Sequence, residues 1–250
     1  MSAQNRRTYW EDTCSPDSFP ALNGDLDVDV AIVGGGIVGI AAARMIKDAG
    51  MTAAVVEARR VGQGVSGKAT AKVTSQHGLR YRTIEKKFGE DKARLYADAQ
   101  ETGLRRIVEL SRTYGFDADI ETVPAYVYTR EEGHVEEIEK EVELARRLGL
   151  PASVTRDTGL PFDVKAAMRW DDQAQFHPIK FVAGLAQTIT GDGSHVFENS
   201  RVTDWDPKRE VTDRGTVKGS ATRLLYRGRR VGAFDPHPPL ERSHPCSVRR

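Results

Sequence analysis

The sequence predicts an α/β chain: a strand, glycine turn, helix and strand near the start, an α+β subdomain inserted further on, and an incomplete C-terminal end. Three observations predict it. The run "DVAIVGGGIVGIAAARMIKDAGMTAAVVEA" changes from strand-like to helical apolar spacing and back across a glycine turn. The middle of the chain mixes helical and alternating stretches. Beyond Gly219 regular patterning dissolves into an arginine-rich stretch broken by prolines.

Each element of the first unit has a local reason. Val28, Val30, Ile32 and Val33 make a short apolar strand, and "GGGIVG" turns the chain. The alanine-rich segment that follows has helical spacing and ends at Gly50, a C-terminal cap. "TAAVVEA" is the second strand. In this setting Gly34 permits the tight turn, Gly36 lets backbone approach a pyrophosphate, and Gly39 lets helix meet sheet. The helix N-terminus, beginning at Ile37, then presents amides to phosphate. Glu57 closes the second strand where a carboxylate accepts both hydroxyls of an adenosine ribose, and an acid there disfavours a 2′-phosphate. The unit is Rossmann-like and calls for a dinucleotide.

A second glycine loop, "ARRVGQGVSGKATAK", follows Glu57 directly. Ala58 and Arg59 lead into it, and Gly62, Gly64, Gly67 and Ser66 wrap donors around the far side of a diphosphate. An NAD domain has no need of such a clamp. A flavin dinucleotide is longer and is held along much of its length.

Composition removes other classes. The 250 residues are 39% apolar, enough for a core, and no run approaches the length of a membrane span. The polar start carries no signal-peptide pattern, so the chain reads as cytoplasmic. Cys14 and Cys246 lie near opposite ends with no CxxC or Cys/His cluster, which suggests neither a metal site nor a disulfide framework. Residues 208–250 hold eleven Lys or Arg against four Asp or Glu, a charge of +7 within a net +1. That basic stretch reads as a disordered tail. No interleaved aromatics make it a nucleic-acid arm.

The strand and turn "DVAIVGGGIVGIAAA", the loop "VVEARRVGQGVSG" and the later "HPIKFVAGLAQTITGDGSHVFENSRVTDW" resemble FAD-dependent oxidoreductases of the D-amino-acid oxidase (DAO) type. "TYWEDT", "GKATAKVTSQHGLRY" and "WDDQAQFHPIKF" resemble more narrowly the bacterial branch that often carries a C-terminal Rieske domain. The resemblance spans about Arg7 to Asp206. It implies FAD as cofactor, a small-molecule amine or amino acid as substrate, and oxygen or a redox partner as electron acceptor, with no nucleic acid or membrane involved. It also implies that Lys68, Ala69 and Thr70 line the cofactor without a covalent link, and that the backbone of Val202 meets the adenine. The cofactor-binding set is then Gly34, Gly36, Ile37, Gly39, Glu57, Ala58, Arg59, Gly64, Ser66, Gly67, Thr70 and Val202.

The expected organisation is an N-terminal arm (1–27), FAD-binding strands and helices (28–115), an inserted α+β substrate subdomain (116–175), a return to the first domain (176–218) and the basic tail (219–250). "IEKKFGEDKARLYADAQETGLRRIVELSRTYG" reads as a long helical region with Leu95, Ala99, Ile107 and Leu110 on one stripe. "ADIETVPAYVYT", "ASVT" and "AAMRW" read as strands, "VEEIEKEVELARRLG" and "IKFVAGLAQTITGDG" as helices, and "HVFENSRVTDW" as a strand containing Val202. In the resembling family such an insertion forms the sheet that presents the substrate pocket.

His77 and His177 are the general-base candidates, a neutral imidazole being able to take a proton near neutrality. His77 is the weak catalytic candidate, and a histidine before glycine or proline also caps turns. The later segments that the family needs are not visible, and neither is a Rieske ligand pattern. The abrupt change of composition is what a shifted reading frame or a premature end gives. Three functions stay open: an FAD-dependent oxidoreductase acting on a C–N bond, a non-catalytic truncated dinucleotide-binding fragment, and, last, an NAD-dependent dehydrogenase.

Overall fold

A computed structural model describes residues 7–205, 215–218 and 223–225. In chain order the elements are α1 (Tyr9–Thr13), β1 (Leu26–Val28), β2 (Val30–Val33), α2 (Ile37–Asp48), β3 (Ala53–Val56), β4 (Lys72–Val73), α3 (Tyr81–Phe88) and α4 (Glu90–Tyr114). There follow β5 (Glu121–Thr129), α5 (Val135–Arg147), β6 (Ala152–Thr155), β7 (Ala166–Gln175), α6 (Pro178–Gln187), β8 (His195–Phe197), β9 (Asp204–Trp205), β10 (Gly215–Lys218) and β11 (Arg223–Leu225). They form two compact units, Met1–Asp17 with Gly62–Thr188, and Ser18–Val61 with Ile189–Arg250. The break therefore falls at Val61/Gly62, inside the stretch expected to be one domain, and places α3 and α4 with the sheet of the inserted region.

The unit containing the first glycine turn is built on a parallel sheet, β2-β3-β8. The expected first strand is divided at Asp29, so that β1 joins a different sheet, β1-β10-β11-β9. Asp29 is the cause. Its carboxylate accepts the backbone amide and hydroxyl of Thr52, both at 2.8 Å, while its own amide donates to the Thr52 hydroxyl at 2.9 Å. This clasp starts β2 and β3 in register, Val30 opposite Ala53. All four residues of β3 are buried, as a central parallel strand requires. Helix α2 buries Ile40 and Ala43 and ends in a Schellman motif: Met51 donates to the Ile46 carbonyl, Gly50 to the Lys47 carbonyl, and Gly50 has φ +78°. The Lys47 ammonium then holds the carbonyls of Ile189 and Gly191 at 2.9 and 3.0 Å.

The segment read as one strand around Val202 is two, β8 and β9. Asn199 adopts φ +49°, a left-handed conformation that a strand cannot carry and that asparagine tolerates. Val202 is accordingly a loop residue, packed against Val28, Ala54 and Val56. Within the stretch expected as a disordered tail, Arg223–Leu225 is a strand paired with β10 and β9; the remainder of 219–250 lies outside the described residues.

The other unit is an antiparallel sheet, with β5, β6 and β4 all paired to β7. Pro124 lacks a donor, and β5 shifts register at that point, between Val123 and Ala125. Helices α3, α4 and α5 cover one face. Tyr81 stacks on Trp170 at 5.6 Å, among Ile138, Val142, Leu148 and Met168. The expected long helix is two, because Gly89, at φ +86° and ψ 164°, leaves helical space between α3 and α4. Its buried stripe is Ala93, Ala97, Leu104, Leu110 and Ser111. Leu95 is 61% exposed, lying two residues beyond Ala93 and so about 200° around the helix. Ala99 is also exposed, and Ile107 is half-buried. The N-terminus of α3 has no side-chain cap of its own. Buried Glu141 of α5 supplies one, accepting the Tyr81 and Arg82 amides at 2.7 and 3.1 Å.

His177 is a helix cap. Its Nδ1 accepts the Lys180 amide at 3.2 Å, and its Nε2 lies 3.1 Å from the Thr13 hydroxyl. Since Thr13 donates its own hydrogen to the Tyr9 carbonyl at 2.7 Å, Nε2 is the donor and the ring is neutral. Burial holds the pKa of His177 below the ordinary value, with Lys180 acting in the same direction and Asp119 against it.

Two predictions follow from these contacts. A Cβ on Gly39 would lie 2.1 Å from the Gly34 carbonyl oxygen and one on Gly67 2.5 Å from that of Gly62, whereas nothing stands within 4 Å of one on Gly64. G39A and G67A should each lose about 1–3 kcal/mol in urea unfolding, and G64A should stay within about 0.5 kcal/mol of the parent. For His177, the unfolded chain takes up a proton near pH ~6.5 that the folded chain refuses. The stability it contributes is therefore whole above that value and is lost as pH falls through the folded pKa. Against H177N, which keeps a capping oxygen and does not titrate, the parent should lose relative stability between about pH 7.5 and about pH 5. A constant difference would refute the neutral cap.

Candidate functional site

The chain from Val33 to Gly39 is shaped by steric exclusion. Gly34 has φ +100°, and its carbonyl approaches Gly39 so closely that only hydrogen fits there. Gly35 is nearly as tight, a Cβ there meeting Val61 at 3.0 Å and Glu57 at 3.1 Å. Gly36 is the N-cap of α2 and makes no side-chain cap hydrogen bond. A 12-residue helix thus begins at a residue with no side-chain oxygen to offer the first-turn amides. Such an end suits an anion.

Glu57 is held against this turn. Its Oε2 accepts the Gly35 amide and its Oε1 the Arg59 amide, both at 2.8 Å. A carboxylate has about four acceptor positions, so both oxygens retain capacity for a further donor. The backbone around it is fixed as well: Glu57 donates to the Phe197 carbonyl, Ser200 to that of Glu57, and Asn199 to that of Arg59. Ala58 is half-buried between them, and Arg59 is exposed.

Behind that stretch lies a residue that sequence reading missed. Glu198 is 1% exposed. Its Oε1 accepts the Val61 amide at 2.7 Å, and its Oε2 accepts the Phe19 amide at 3.1 Å and pairs with Arg60 Nε at 3.0 Å. One buried carboxylate thus joins the arm before β1, the end of the Glu57 loop and the end of β8. Its carbonyl accepts the Ser200 hydroxyl at 2.7 Å, which in turn accepts the Leu22 amide at 2.8 Å. The polar run "FENSR" gave no sign that its acid is internal.

The remaining candidates belong to the other unit. Gly62 has φ +76° and packs on Val182, while Gly67 is buried against Ile179, so α6 backs the second turn. Ser66–Lys68 forms a single 3-10 turn, closed by the Lys68 amide on the Val65 carbonyl at 3.0 Å. Gly64 and Ser66 are half-buried, and Thr70 is exposed. The structure therefore joins Gly34, Gly36, Ile37, Gly39, Glu57, Ala58 and Arg59 around one turn, with Val202 elsewhere in the same unit, and sets Gly64, Ser66, Gly67 and Thr70 around the second.

His77 is exposed, its Nδ1 2.9 Å from the Tyr96 hydroxyl. Partial desolvation, with Arg80 and Lys72 nearby, holds its pKa below the ordinary histidine value. Close by in sequence lies a buried polar network: Gln173 Oε1 accepts the Ser75 amide and Thr74 hydroxyl at 2.8 Å, and Trp170 Nε1 donates to the Ser75 hydroxyl at 2.9 Å. Among the described residues no helix is long and apolar enough to cross a membrane.

Known proteins resemble this chain in sequence and in fold. "Putative Rieske 2Fe-2S iron-sulfur protein YhfW" of Bacillus subtilis (strain 168) is 34% identical over 197 residues, covering 79% of this chain and 39% of its own length. Gamma-glutamylputrescine oxidoreductase of Escherichia coli (strain K12) is 28% identical over 239 residues, 92% of this chain and 56% of its own. The chain thus spans about half the length, or less, of these relatives. Among solved structures, L-amino acid deaminase from Proteus myxofaciens has the same fold, with a TM-score of 0.61 at 18% identity over 82% of this chain and 47% of that one. The family described as "DAO: FAD dependent oxidoreductase" matches residues 29–225, and the chain belongs to it.

Proposed function

We propose that this chain holds FAD and forms part of an oxidoreductase that oxidises an amine or amino-acid-like C–N bond, passing electrons to oxygen or to a redox partner. One observation carries the reading: the N-terminus of α2, headed by a glycine, and the Glu57 carboxylate are brought to the same glycine turn, with Glu57 Oε2 on the Gly35 amide. The turn suits a diphosphate and the carboxylate suits ribose hydroxyls. When bound, FAD supplies the electron sink for the oxidation. The chain's own residues bind and orient: first-turn amides of α2 on one phosphate and Glu57 on the ribose, while the Gly62–Thr70 loop offers backbone donors within its own unit. The amine and amino-acid substrates in the names of the oxidoreductase and the deaminase support the substrate class.

A second reading rests on the groups that the first glycine turn brings together, the N-terminus of α2 and Glu57, which serve the adenosine diphosphate half alone. In it the chain holds the adenosine half of the cofactor and turns nothing over. The two differ in colour and reactivity. The purified chain should keep flavin absorption bands through a desalting column, and an amine or amino acid should bleach them without oxygen. Bands that no such substrate bleaches would favour the second reading; a colourless chain that takes up neither FAD nor ADP would exclude both. E57Q should weaken FAD and ADP alike by about tenfold in equilibrium titration, the loss expected for one hydrogen bond to a charged group. Equal affinity in parent and variant would remove Glu57 from the site.

A further inference from the structure

We propose that residues 8–13 are a strap that holds the second glycine turn in the shape its amides need, with Thr8 and Trp10 as positioning residues for the cofactor. The proposal rests on the reading of Gly64, Ser66, Gly67 and Thr70 as cofactor-binding. Helix α1 has only five residues and none is buried, so it has little stability of its own. It is nonetheless closed by a full capping box, Thr8 with Glu11. Two side-chain donors at its start go to the turn. The Thr8 hydroxyl donates to the Gly67 carbonyl and the Trp10 indole Nε1 to the Ala69 carbonyl, both at 2.9 Å. The far end is tied by the His177–Thr13 hydrogen bond, and the Trp10 ring stands edge-on to His177 at 5.0 Å.

The turn is thus fixed on two sides. Ile179 and Val182 of α6 meet Gly67 and Gly62 from one direction, and α1 holds alternate carbonyls. In a trans peptide the carbonyl and the following N–H point in opposite directions. Anchoring the Ala69 carbonyl to the indole therefore turns the Thr70 amide away from the strap. A glycine-containing turn has many alternative conformations. A neutral indole N–H on a carbonyl removes the freedom of one peptide without placing any charge near a diphosphate.

The test uses the full chain with W10F, which keeps a ring and loses the N–H, and T8V, which keeps the shape and loses the hydroxyl. Trypsin cleavage after exposed Lys68, followed by mass spectrometry of cofactor-free protein, reads the turn directly. FAD titration by flavin fluorescence reads its consequence. Both variants should be cut several-fold faster after Lys68 and should bind FAD about fivefold to tenfold more weakly, with T8S restoring the parent values. Unchanged cleavage in both variants would overturn the strap. Faster cleavage with unchanged FAD affinity would overturn the positioning role and leave a purely structural one. A parent chain that takes up no FAD would overturn the underlying reading of the loop and with it the positioning role, while the cleavage rates still decide whether the strap exists.

Discussion

Two backbone carbonyls stand where side chains would otherwise be, and the candidate site depends on that exclusion. The Gly34 carbonyl faces Gly39 and the Gly62 carbonyl faces Gly67, each across five residues, with a Cβ excluded at 2.1 and 2.5 Å. The same local solution is thus used twice, once at the head of α2 and once before β4. In both turns a left-handed glycine opens the loop and a crowded glycine closes it. Where a side chain is absent the backbone can approach a ligand closely, and each turn meets that condition at its crowded glycine.

Such turns hold their shape only if their ends are fixed, and carboxylates on backbone amides do much of that. Glu57 takes the amides of Gly35 and Arg59, Glu198 those of Val61 and Phe19, and Glu141 those of Tyr81 and Arg82. Each acid joins segments that are distant or turning, and each is satisfied by donors that cannot leave the chain. Glu141 shows the opposing effects: burial pushes its pKa up, while the amides of Arg82 and Tyr81 pull it down, and burial prevails. Glu198 differs in forming an ion pair, with Arg60 at 3.0 Å. Glu57 differs in geometry, since each of its oxygens takes one amide and keeps further acceptor capacity.

Much of this was legible in the sequence, and the boundary between what was and was not follows contact range. The Gly34, Gly36 and Gly39 spacing, the end of α2 at Gly50 and the acid at Glu57 are local patterns or fall at a characteristic distance within one βαβ unit. Glu198 was not legible, because its partners Val61 and Phe19 lie 137 and 179 residues away. The stripe of α4 was read from apolar identity, but alanine and serine face its core while Leu95 does not. Gly89 and Asn199 had visible signals, a glycine before "ED" and an asparagine before serine, yet each sat inside a pattern that continued on both sides. A left-handed residue breaks an element without breaking its hydropathy.

The unit boundary at Val61/Gly62 gives the same lesson at larger scale. Apolar periodicity assigns elements but carries no record of which strand pairs with which, and β4 is only two residues long. Its pairing with β7, Lys72 opposite Gln175, joins positions about a hundred residues apart and sets the second glycine turn beside α6. The N-terminal "TYWEDT" makes the point most sharply. As a sequence it is a polar segment too short to be a helix worth counting. Its place in the fold appears only when the Thr8 hydroxyl and the Trp10 indole are seen to end on carbonyls about sixty residues ahead, in the second glycine turn. A short segment with no core of its own keeps its shape through what it holds.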